Sequence, residues 1–286
     1  MRYSGFLPKT AAVMTKAMPP SPRISIITPA YNAEKYVKRV TQSVLSQRYI
    51  NFEWIIVDDC SIDNSYAAFR AEVCEDPRVR LIQAPRNGGV SEARNIALAN
   101  AAGEYVCFLD ADDSWAPDKL AVQYQFMQSS NADVTAMDYL RVDELHKPLG
   151  LVRPPPVITR RMMLKSNRIG NLTAMVRRSL LTDIKFRRIG HEDYVFWLDV
   201  ARKATQILRV PTEEPLCFYT VRDSSISADK RTAAKWQWMV YRVVLKMNFM
   251  VSCWFFLNYA VIAVTKRILL RSSRVRTRRQ NTAGPS

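Results

Sequence analysis

The sequence predicts an α/β fold in which a mostly parallel central sheet carries helices on both faces. Short runs rich in β-branched and aromatic residues alternate along the chain with longer segments of helical periodicity. The runs are continuously apolar rather than alternating, which is typical of strands that are buried on both faces of a parallel sheet.

The alternation is regular in the first half of the chain and weaker in the second. The predicted strands of the first half are 24–30, 52–59, 79–84 and 104–110, and the predicted helices are 33–47, 64–73 and 88–103. After residue 120 we expect helices at 118–129 and 192–204, and strands at 133–140, 169–178 and 213–222.

The composition indicates a folded, intracellular type of protein with an unusual distribution of charge. The 286 residues are 48% hydrophobic and include only 8 Gly, which argues against global disorder. Five scattered Cys and two His have no zinc-binding spacing, and the cysteines are expected to be free, buried thiols. The formal net charge is +16, and Asp229 is the last acidic residue. The excess therefore belongs to the C-terminal region, where it suits an anionic membrane surface; nucleic acid is the competing partner.

Carboxylates follow two of the predicted strands at the point where each strand ends. Asp58 and Asp59 close the run FEWIIVDD, and Asp110, Asp112 and Asp113 follow EYVCFL. Because ligands bind outside the carboxyl ends of parallel strands, we expect both clusters at one edge of the sheet. The Asp-x-Asp spacing can direct two hard oxygen ligands at Mg²⁺ or Mn²⁺, although alone it fits a helix-capping loop better.

A glycine pair and an arginine lie at the start of the predicted helix 88–103. Gly88 and Gly89 let the backbone approach a ligand, and a helix N-terminus favours anions, although a lone Gly pair is more often a simple turn. Arg94 lies on the first turns of this helix, where its long cationic side chain could reach the same edge.

Two long segments together resemble glycosyltransferase family 2, whose members have the GT-A fold. They are ISIITPAYNAEKYVKRVTQSVLSQRYINFEWIIVDDCSIDNS and NGGVSEARNIALANAAGEYVCFLDADD. The resemblance is strong over residues 23–113, and weaker motifs extend it to about residue 245. The individual motifs are short, but their order and spacing make the match specific.

The resemblance implies a binding site for a nucleotide-sugar donor and a divalent metal. It implies that the donor is contacted by Pro29, Ala30, Tyr31, Asp58, Asp59, Gly88, Arg94, Asp110, Ala111 and Arg222. Asp59 would contact the nucleoside, and Arg94 would lie near the base and phosphates. Asp110 and Asp112 correspond to the metal-binding Asp-x-Asp motif, with Asp112 the direct ligand of Mn²⁺ or Mg²⁺. That cation would hold the diphosphate and neutralise the acidic cluster.

The second half of the chain contains the candidate catalytic base. Glu192 and Asp193, in GHEDYVFWLDVARK, resemble the family's Glu-Asp motif at the start of a helix. Inverting transfer needs one carboxylate to deprotonate the acceptor hydroxyl, and we assign this role to Asp193 with Glu192 as second choice. Without the resemblance, the pair would be read as helix-start acids favoured by the macrodipole. His191 is expected to be a packing or acceptor-loop residue.

Arg222, in FYTVRDSSIS, resembles a family pattern of an Arg followed by Ser after a late strand. It would close over the diphosphate, with Ser225 or Ser227 alongside; a surface loop is the equally good alternative. The Gln-x-x-Arg-Trp motif of processive polymerases in the family does not match WQWMVYR. This favours addition of a single sugar.

The predicted organisation has four parts. They are a flexible N-terminal extension at 1–22, a GT-A catalytic domain at 23–230, C-terminal helices at 231–271 and a basic disordered tail at 272–286. The catalytic domain divides into a nucleotide-sugar half at about 23–115 and an acceptor half at about 116–230.

The uncharged segment 247–264 is near the length of a transmembrane helix, but basic residues flank both ends. We favour a helix lying on the cytoplasmic membrane face over a spanning helix; packing on the domain is the close alternative.

These expectations combine into an inverting transferase that moves one sugar from a nucleotide-diphospho-sugar, here a UDP-sugar. The acceptor would be a lipid-linked sugar or a glycan of a bacterial surface polysaccharide, and the enzyme would be peripheral on the inner face of the cell membrane. A nucleotidyltransferase is the enzyme alternative, although TPAYNAEKY lacks the Gly-rich loop that it needs. A basic membrane- or nucleic-acid-binding module is the other, although its cations should run through the folded domain. We therefore expect no nucleic-acid partner.

Overall fold

The computed structural model describes residues 22–73, 75–222, 230–263 and 265. In this part of the chain the strands are β1 Ile24–Ala30, β2 Phe52–Asp58, β3 Val79–Gln83, β4 Tyr105–Phe108, β5 Ser114–Trp115, β6 Val134–Ala136, β7 Tyr139–Val142, β8 Pro148–Val152, β9 Met175–Arg177, β10 Ile207–Arg209 and β11 Cys217–Thr220. The α-helices are α1 Val37–Leu45, α2 Ser65–Val73, α3 Val90–Ala99, α4 Lys119–Ser130, α5 Arg160–Lys165, α6 Glu192–Lys203 and α7 Lys230–Met239. Residues 249–263 form a further helix, here called the C-terminal helix.

The main sheet has seven strands in the order β10-β6-β9-β4-β1-β2-β3. Strands β4, β1, β2 and β3 are parallel neighbours, and β10 is parallel to β6. Only β9 runs against its neighbours in this sheet, β4 and β6. The predicted mostly parallel α/β architecture, with helices on both faces and further helices at the C-terminal side, is therefore confirmed.

Alternate residues of the central strands enter two separate cores. Every residue of β1 and β2 is buried, so Ile26 and Ile56 face one core while Ile27 and Ile55 face the other. Helices α1, α2 and α4 cover the first core, and α3 and α6 cover the second. This two-sided burial explains why the strands read as continuous apolar runs.

A second, four-stranded sheet in the order β5-β11-β7-β8 was not predicted from the sequence. The strand expected at 133–140 is divided between the two sheets, with β6 in the main sheet and β7 in the small one. The strand expected at 169–178 is confined to β9, because a 3₁₀ turn occupies Asn171–Thr173. Strand β5 follows the acidic loop directly, so the small sheet is joined to the main sheet at that loop.

The remaining predictions concern the termini and the cysteines. Among the described cysteines, Cys60, Cys107, Cys217 and Cys253 are free, and the first and last of these are not buried. Among the described residues, no helix combines the length and hydropathy that crossing a membrane requires. Residues 1–21 and 266–286 lie outside the described part of the chain, so the extension and the tail stay predictions, as do the domain boundaries.

Candidate active site

A cleft of about 410 Å³ lies at the carboxyl edge of the main sheet. Its position follows from the strand register, which places Ala30 of β1 opposite Asp58 of β2 and aligns the end of β4 with Ile27. The loops after these three strands therefore meet, as the sequence predicted. The lining residues are Pro29, Ala30, Tyr31, Asn32, Ala33, Tyr36, Asp59, Asn87, Gly89, Val90, Ala93, Asp110, Ala111, Asp112 and Arg222.

Eight of the residues expected at a donor site line this cleft: Pro29, Ala30, Tyr31, Asp59, Asp110, Ala111, Asp112 and Arg222. Tyr31 is 48% exposed, so its ring is available to a ligand. Asp58, Gly88 and Arg94 lie behind the lining, and each contacts a loop that forms it. Sequence reasoning missed Asn32 and Asn87, because no pattern distinguishes them from other turn residues, and Tyr36, because it has the features of an ordinary buried aromatic residue.

The two acids that end β2 organise the cleft wall by hydrogen bonds to backbone and hydroxyl groups. The two carboxylate oxygens of Asp59 accept hydrogen bonds from the amides of Gly88 and Gly89, at 2.8 and 2.7 Å. Asp58 is fully buried and accepts from the hydroxyl of Ser61 at 2.5 Å. Asp59 thus fixes the loop formed by Gly88 and Gly89, here called the glycine loop. Asp58 fixes the turn that follows β2.

Backbone conformation and close packing favour glycine at both positions of the glycine loop. Gly89 precedes α3 with φ at 82°, a backbone conformation that L side chains rarely adopt, and it faces open space. A Cβ on Gly88 would lie 2.2 Å from the carboxylate of Glu92. The backbone of Gly89, which lines the cleft, can therefore approach a bound molecule more closely than that of a residue with a side chain could, whereas Gly88 makes room for Glu92.

The loop after β4 carries three carboxylates in different environments. Asp110 lies 2.7 Å from a guanidinium nitrogen of Arg94, and Asp112 lies 2.8 Å from Nε of Arg222. Asp113 is buried and accepts a hydrogen bond from the amide of Thr220 at 2.9 Å. The loop is therefore tied to β11, and Arg222, three residues past the β11 residue Tyr219, contacts its second acid.

Burial and mutual repulsion raise the pKa values of two of these carboxyls. Burial raises the pKa of Asp112, with a further contribution from Asp110, while Arg222 opposes the rise. Burial also raises the pKa of Asp113 well above its usual range, with Asp112 and Asp110 adding to the effect. Burial and the neighbouring carboxylates thus both disfavour the charged forms of Asp112 and Asp113.

The donor set suits a hard divalent cation. In the described part of the chain, no three His, Cys, Asp or Glu side chains converge to hold a metal by themselves. Asp110 and Asp112 line one cleft and offer carboxylate oxygens, a set that fits Mg²⁺ or Mn²⁺ when phosphate oxygens and water complete the coordination.

A buried arginine connects the acidic loop to the candidate base. Arg94 on α3 is 3% exposed, and its two terminal nitrogens contact Asp110 at 2.7 Å and Asp193 at 2.5 Å. Its guanidinium also lies over the ring of Phe186, 5.1 Å from the centroid. Burial works against its charge, but Asp110 and Asp193 keep the pKa of Arg94 above its usual value. The arginine therefore stays charged and holds both carboxylates.

Asp193 combines a raised pKa with access from outside. Burial raises its pKa to about 6, with contributions from Asp110 and Glu192, while Arg94 opposes the rise. Its side chain is nevertheless 34% exposed, so a substrate hydroxyl can reach it. A carboxylate with this pKa is a stronger base than a solvated aspartate. Glu192, on the same helical turn, interacts with Arg94 through its charge and helps to raise the pKa of that arginine, whereas Asp193 makes the direct ion pair.

The start of α6 is shaped by close packing. His191 has φ at 45°, and its Nε2 lies 3.1 Å from the carbonyl oxygen of Ala233. Its ring lies 5.4 Å from that of Trp236, and burial lowers its pKa. His191 is therefore a packing residue, one of the two expected roles.

Arg39 on α1 is a site residue that sequence reasoning missed. It donates to the carbonyl oxygen of Asp112 at 2.5 Å and to the hydroxyl of Thr220 at 3.1 Å. In sequence Arg39 is one of several cations on an amphipathic helix, and no pattern separates it from the solvated ones. It holds the backbone of the acidic loop in place and links that loop to β11.

Comparisons with known proteins show which sequences and folds this chain is similar to. The family model described as glycosyl transferase family 2 matches residues 25–182, more than half of the chain. WfgD of Escherichia coli, a UDP-Glc:α-D-GlcNAc-diphosphoundecaprenol β-1,3-glucosyltransferase, is 34% identical over 85% of this chain and 94% of its own. The glycosyltransferase TuaG of Bacillus subtilis, provisionally assigned to teichuronic acid biosynthesis, is 36% identical over 86% of this chain and 98% of its own.

Solved structures share the fold. Residues 1–349 of Staphylococcus aureus TarS, in complex with UDP-GlcNAc, superpose with a TM-score of 0.66 at 23% identity, over 83% of this chain and 71% of that one. The mannosyltransferase PcManGT of Pyrobaculum calidifontis, in complex with GDP-Man and Mn²⁺, has a TM-score of 0.61 at 17% identity, over 93% and 82% of the two chains. The chain therefore has a GT-A-type fold and belongs to glycosyl transferase family 2, a family of inverting glycosyltransferases.

Proposed function

We propose that the protein transfers one sugar from a nucleotide-diphospho-sugar to a lipid-linked or glycan acceptor of a bacterial surface polysaccharide, with Asp193 as the base. The observation that carries this proposal is the Arg94 bridge. It ties Asp110, on the cleft wall, to Asp193, a partly exposed carboxylate with a raised pKa. A donor held in the cleft would therefore have its diphosphate near Asp110, and Arg94 links Asp110 to the base Asp193.

The shape and the charges of the cleft support it as the donor site. The turn Pro29–Tyr31 and the glycine loop fixed by Asp59 would enclose the nucleoside, while Arg222 would contact the diphosphate. Asp110 and Asp112 would hold Mn²⁺ or Mg²⁺, which when bound stabilises the negative charge of the leaving diphosphate.

The proposed reaction is a single displacement at the anomeric carbon of the donor. Asp193 takes the proton from the acceptor hydroxyl as its oxygen bonds to the anomeric carbon on the face opposite the diphosphate. The bond from that carbon to the diphosphate oxygen breaks with its electron pair, so the configuration inverts and the nucleoside diphosphate leaves. Arg94 orients the base, and Glu192 is the second candidate for its role.

A UDP-sugar is the proposed donor, because WfgD and the similar WfaP of Escherichia coli use UDP-Glc and TarS binds UDP-GlcNAc. The same two relatives act on a diphosphoundecaprenol-linked sugar, which supports a lipid-linked acceptor. We propose accordingly that the enzyme works as a peripheral protein on the cytoplasmic face of the cell membrane.

The test is a thermal-shift panel of UDP-Glc, UDP-GlcNAc and GDP-Man, each with Mn²⁺ and again with EDTA. A ligand at about a hundred times its Kd adds about 2.7 kcal/mol to the free energy of unfolding, enough to measure. We expect a metal-dependent shift with a UDP-sugar and a smaller one for Asp112→Asn. A folded protein that no nucleotide-sugar stabilises would contradict the proposal.

A further inference from the structure

The C-terminal helix attaches to the domain by one face. The ring of Trp238 on α7 lies 5.9 Å from Phe249 and 5.6 Å from Phe256, and Tyr241 lies 6.1 Å from Phe255. Ser252 is fully buried on the same side. These contacts fix the orientation of the helix, and its other face points away from the protein.

The outward face is apolar, the reverse of an ordinary surface helix. Met250 is 82% exposed, Trp254 58%, Leu257 60% and Val261 57%. Their spacing of four, three and four residues places them along one line of the helix. This apolar stripe, defined by the four residues, is the kind of continuous exposed patch that marks a binding surface for a protein or a membrane.

Basic residues flank the C-terminal helix in the sequence. Arg242 and Lys246 are exposed just before the helix, and Lys266 and Arg267 follow it in sequence. No acidic residue occurs after Asp229. The exposed Arg242 and Lys246, together with the basic sequence that follows the helix, complement an anionic surface.

A pocket of about 500 Å³ extends this basic region and borders the segment that leads into the helix, through Val244 and Leu245. Its charged lining residues are Arg160, Lys185, Arg187, Arg202, Asp183 and Asp199. Arg187 pairs with Asp199, and Lys203 pairs with Asp183, so both acids already have partners. This basic pocket, next to the segment that leads into the C-terminal helix, could accept a phosphate headgroup.

The same helices contact the segment that carries the base. A Cβ on Gly190 would lie 2.5 Å from the ring of Trp236, which also packs on His191. Gln237 donates to the hydroxyl of Tyr194 at 3.3 Å, directly after Asp193. Helix α7 thus lies between the apolar stripe and the start of α6.

We propose that the apolar stripe and the basic pocket bind an anionic phospholipid bilayer and turn the base side of the cleft toward it. Apolar side chains would enter the interface while the cations contact the headgroups. This inference rests on the proposed function, because the placement serves a transferase whose acceptor is embedded in the membrane.

Co-sedimentation of the full chain with vesicles tests the surface. Phosphatidylcholine vesicles are compared with equimolar phosphatidylcholine and phosphatidylglycerol vesicles. We expect the wild type to bind the anionic vesicles more tightly, and Met250→Glu/Leu257→Glu to bind them at least about tenfold more weakly. Lys185→Gln and Arg202→Gln should each weaken binding about fivefold. Ile50→Glu is the matched control, because Ile50 is 73% exposed elsewhere on the domain.

Activity on two acceptors separates this inference from the proposed function. Met250→Glu/Leu257→Glu should transfer normally to a water-soluble acceptor and poorly to one embedded in vesicles. A wild type that binds neither vesicle, or that binds both equally well, overturns the inference even if it is an active transferase. A wild-type dimer that these substitutions convert to a monomer would also overturn it, since the stripe would then be covered by a second copy.

Discussion

Replacing Arg94 with Met should impair both stability and catalysis, because it removes the cation that two carboxylates share. The arginine is 3% exposed, and its partners Asp110 and Asp193 lie at 2.7 and 2.5 Å. Methionine fills a similar volume but leaves the two acids without their shared partner.

The size of the effect follows from the burial of the three groups. Removing one partner of a fully buried ion pair costs about 3–5 kcal/mol. The side chains of Asp110 and Asp193 are 31% and 34% exposed, so water can solvate them in part and the loss should be nearer to 2–3 kcal/mol. At roughly 2 °C per kcal/mol for a chain of this size, the melting temperature should fall by about 5 °C.

The Arg94→Met substitution should change both the pH dependence and the rate of sugar transfer. Arg94 lowers the pKa of Asp193, so the variant should need a higher pH for the same fraction of ionised base. Because Arg94 no longer orients Asp193, the rate of transfer should fall by about a hundredfold. Calorimetry and a pH series of transfer rates measure both effects. Arg86→Met is the control, since Arg86 is 75% exposed in its pair with Glu92 and should matter little. An Arg94→Met enzyme with unchanged melting temperature and pH profile would refute the reasoning.

Three further outcomes are expected. The value of kcat/KM should fall about tenfold per pH unit below about 6, because only ionised Asp193 accepts a proton; a flat profile across that pH range would contradict its role. Asp112→Asn should lose the metal-dependent part of donor affinity in a titration with and without EDTA, and equal losses in both would count against metal binding there. Gly190→Ala should lower stability by about 1–3 kcal/mol, because the new Cβ would lie 2.5 Å from Trp236 and φ is +65°; an unchanged denaturation midpoint would show that α7 does not confine this loop.

The first half of the fold could be predicted because strands that are buried on both sheet faces appear in the sequence as continuous apolar runs. The run ISIITPA was expected to be a strand at 24–30 and forms β1 over those residues. In the second half, one predicted strand is divided between the main sheet and the small sheet. Between β6 and β7 the run stays apolar, and only the buried Asp138, paired with Arg153, marks where the chain crosses. Periodicity reports burial, not which sheet a strand joins.

Part of the candidate site could likewise be predicted from the sequence, and part could not. The acids after β2 and β4 could be placed together because strand ends of a parallel sheet share an edge. The pairing of Arg94 with Asp193 spans 99 residues and depends on how α6 packs against α3, which no local pattern records. Hydrogen bonds from the glycine loop to Asp59 depend likewise on tertiary contact.

Asp193→Asn tests the central claim most directly, by measuring donor affinity and sugar transfer on the same protein. The amide keeps the shape of the side chain but cannot accept the acceptor's proton. We expect donor affinity within about twofold of wild type and transfer reduced by about a thousandfold. Glu104→Gln, in a surface pair with Arg23, should leave both values unchanged. An Asp193→Asn enzyme that still transfers at the wild-type rate, or that loses donor binding while its chemical step stays normal, would contradict the account.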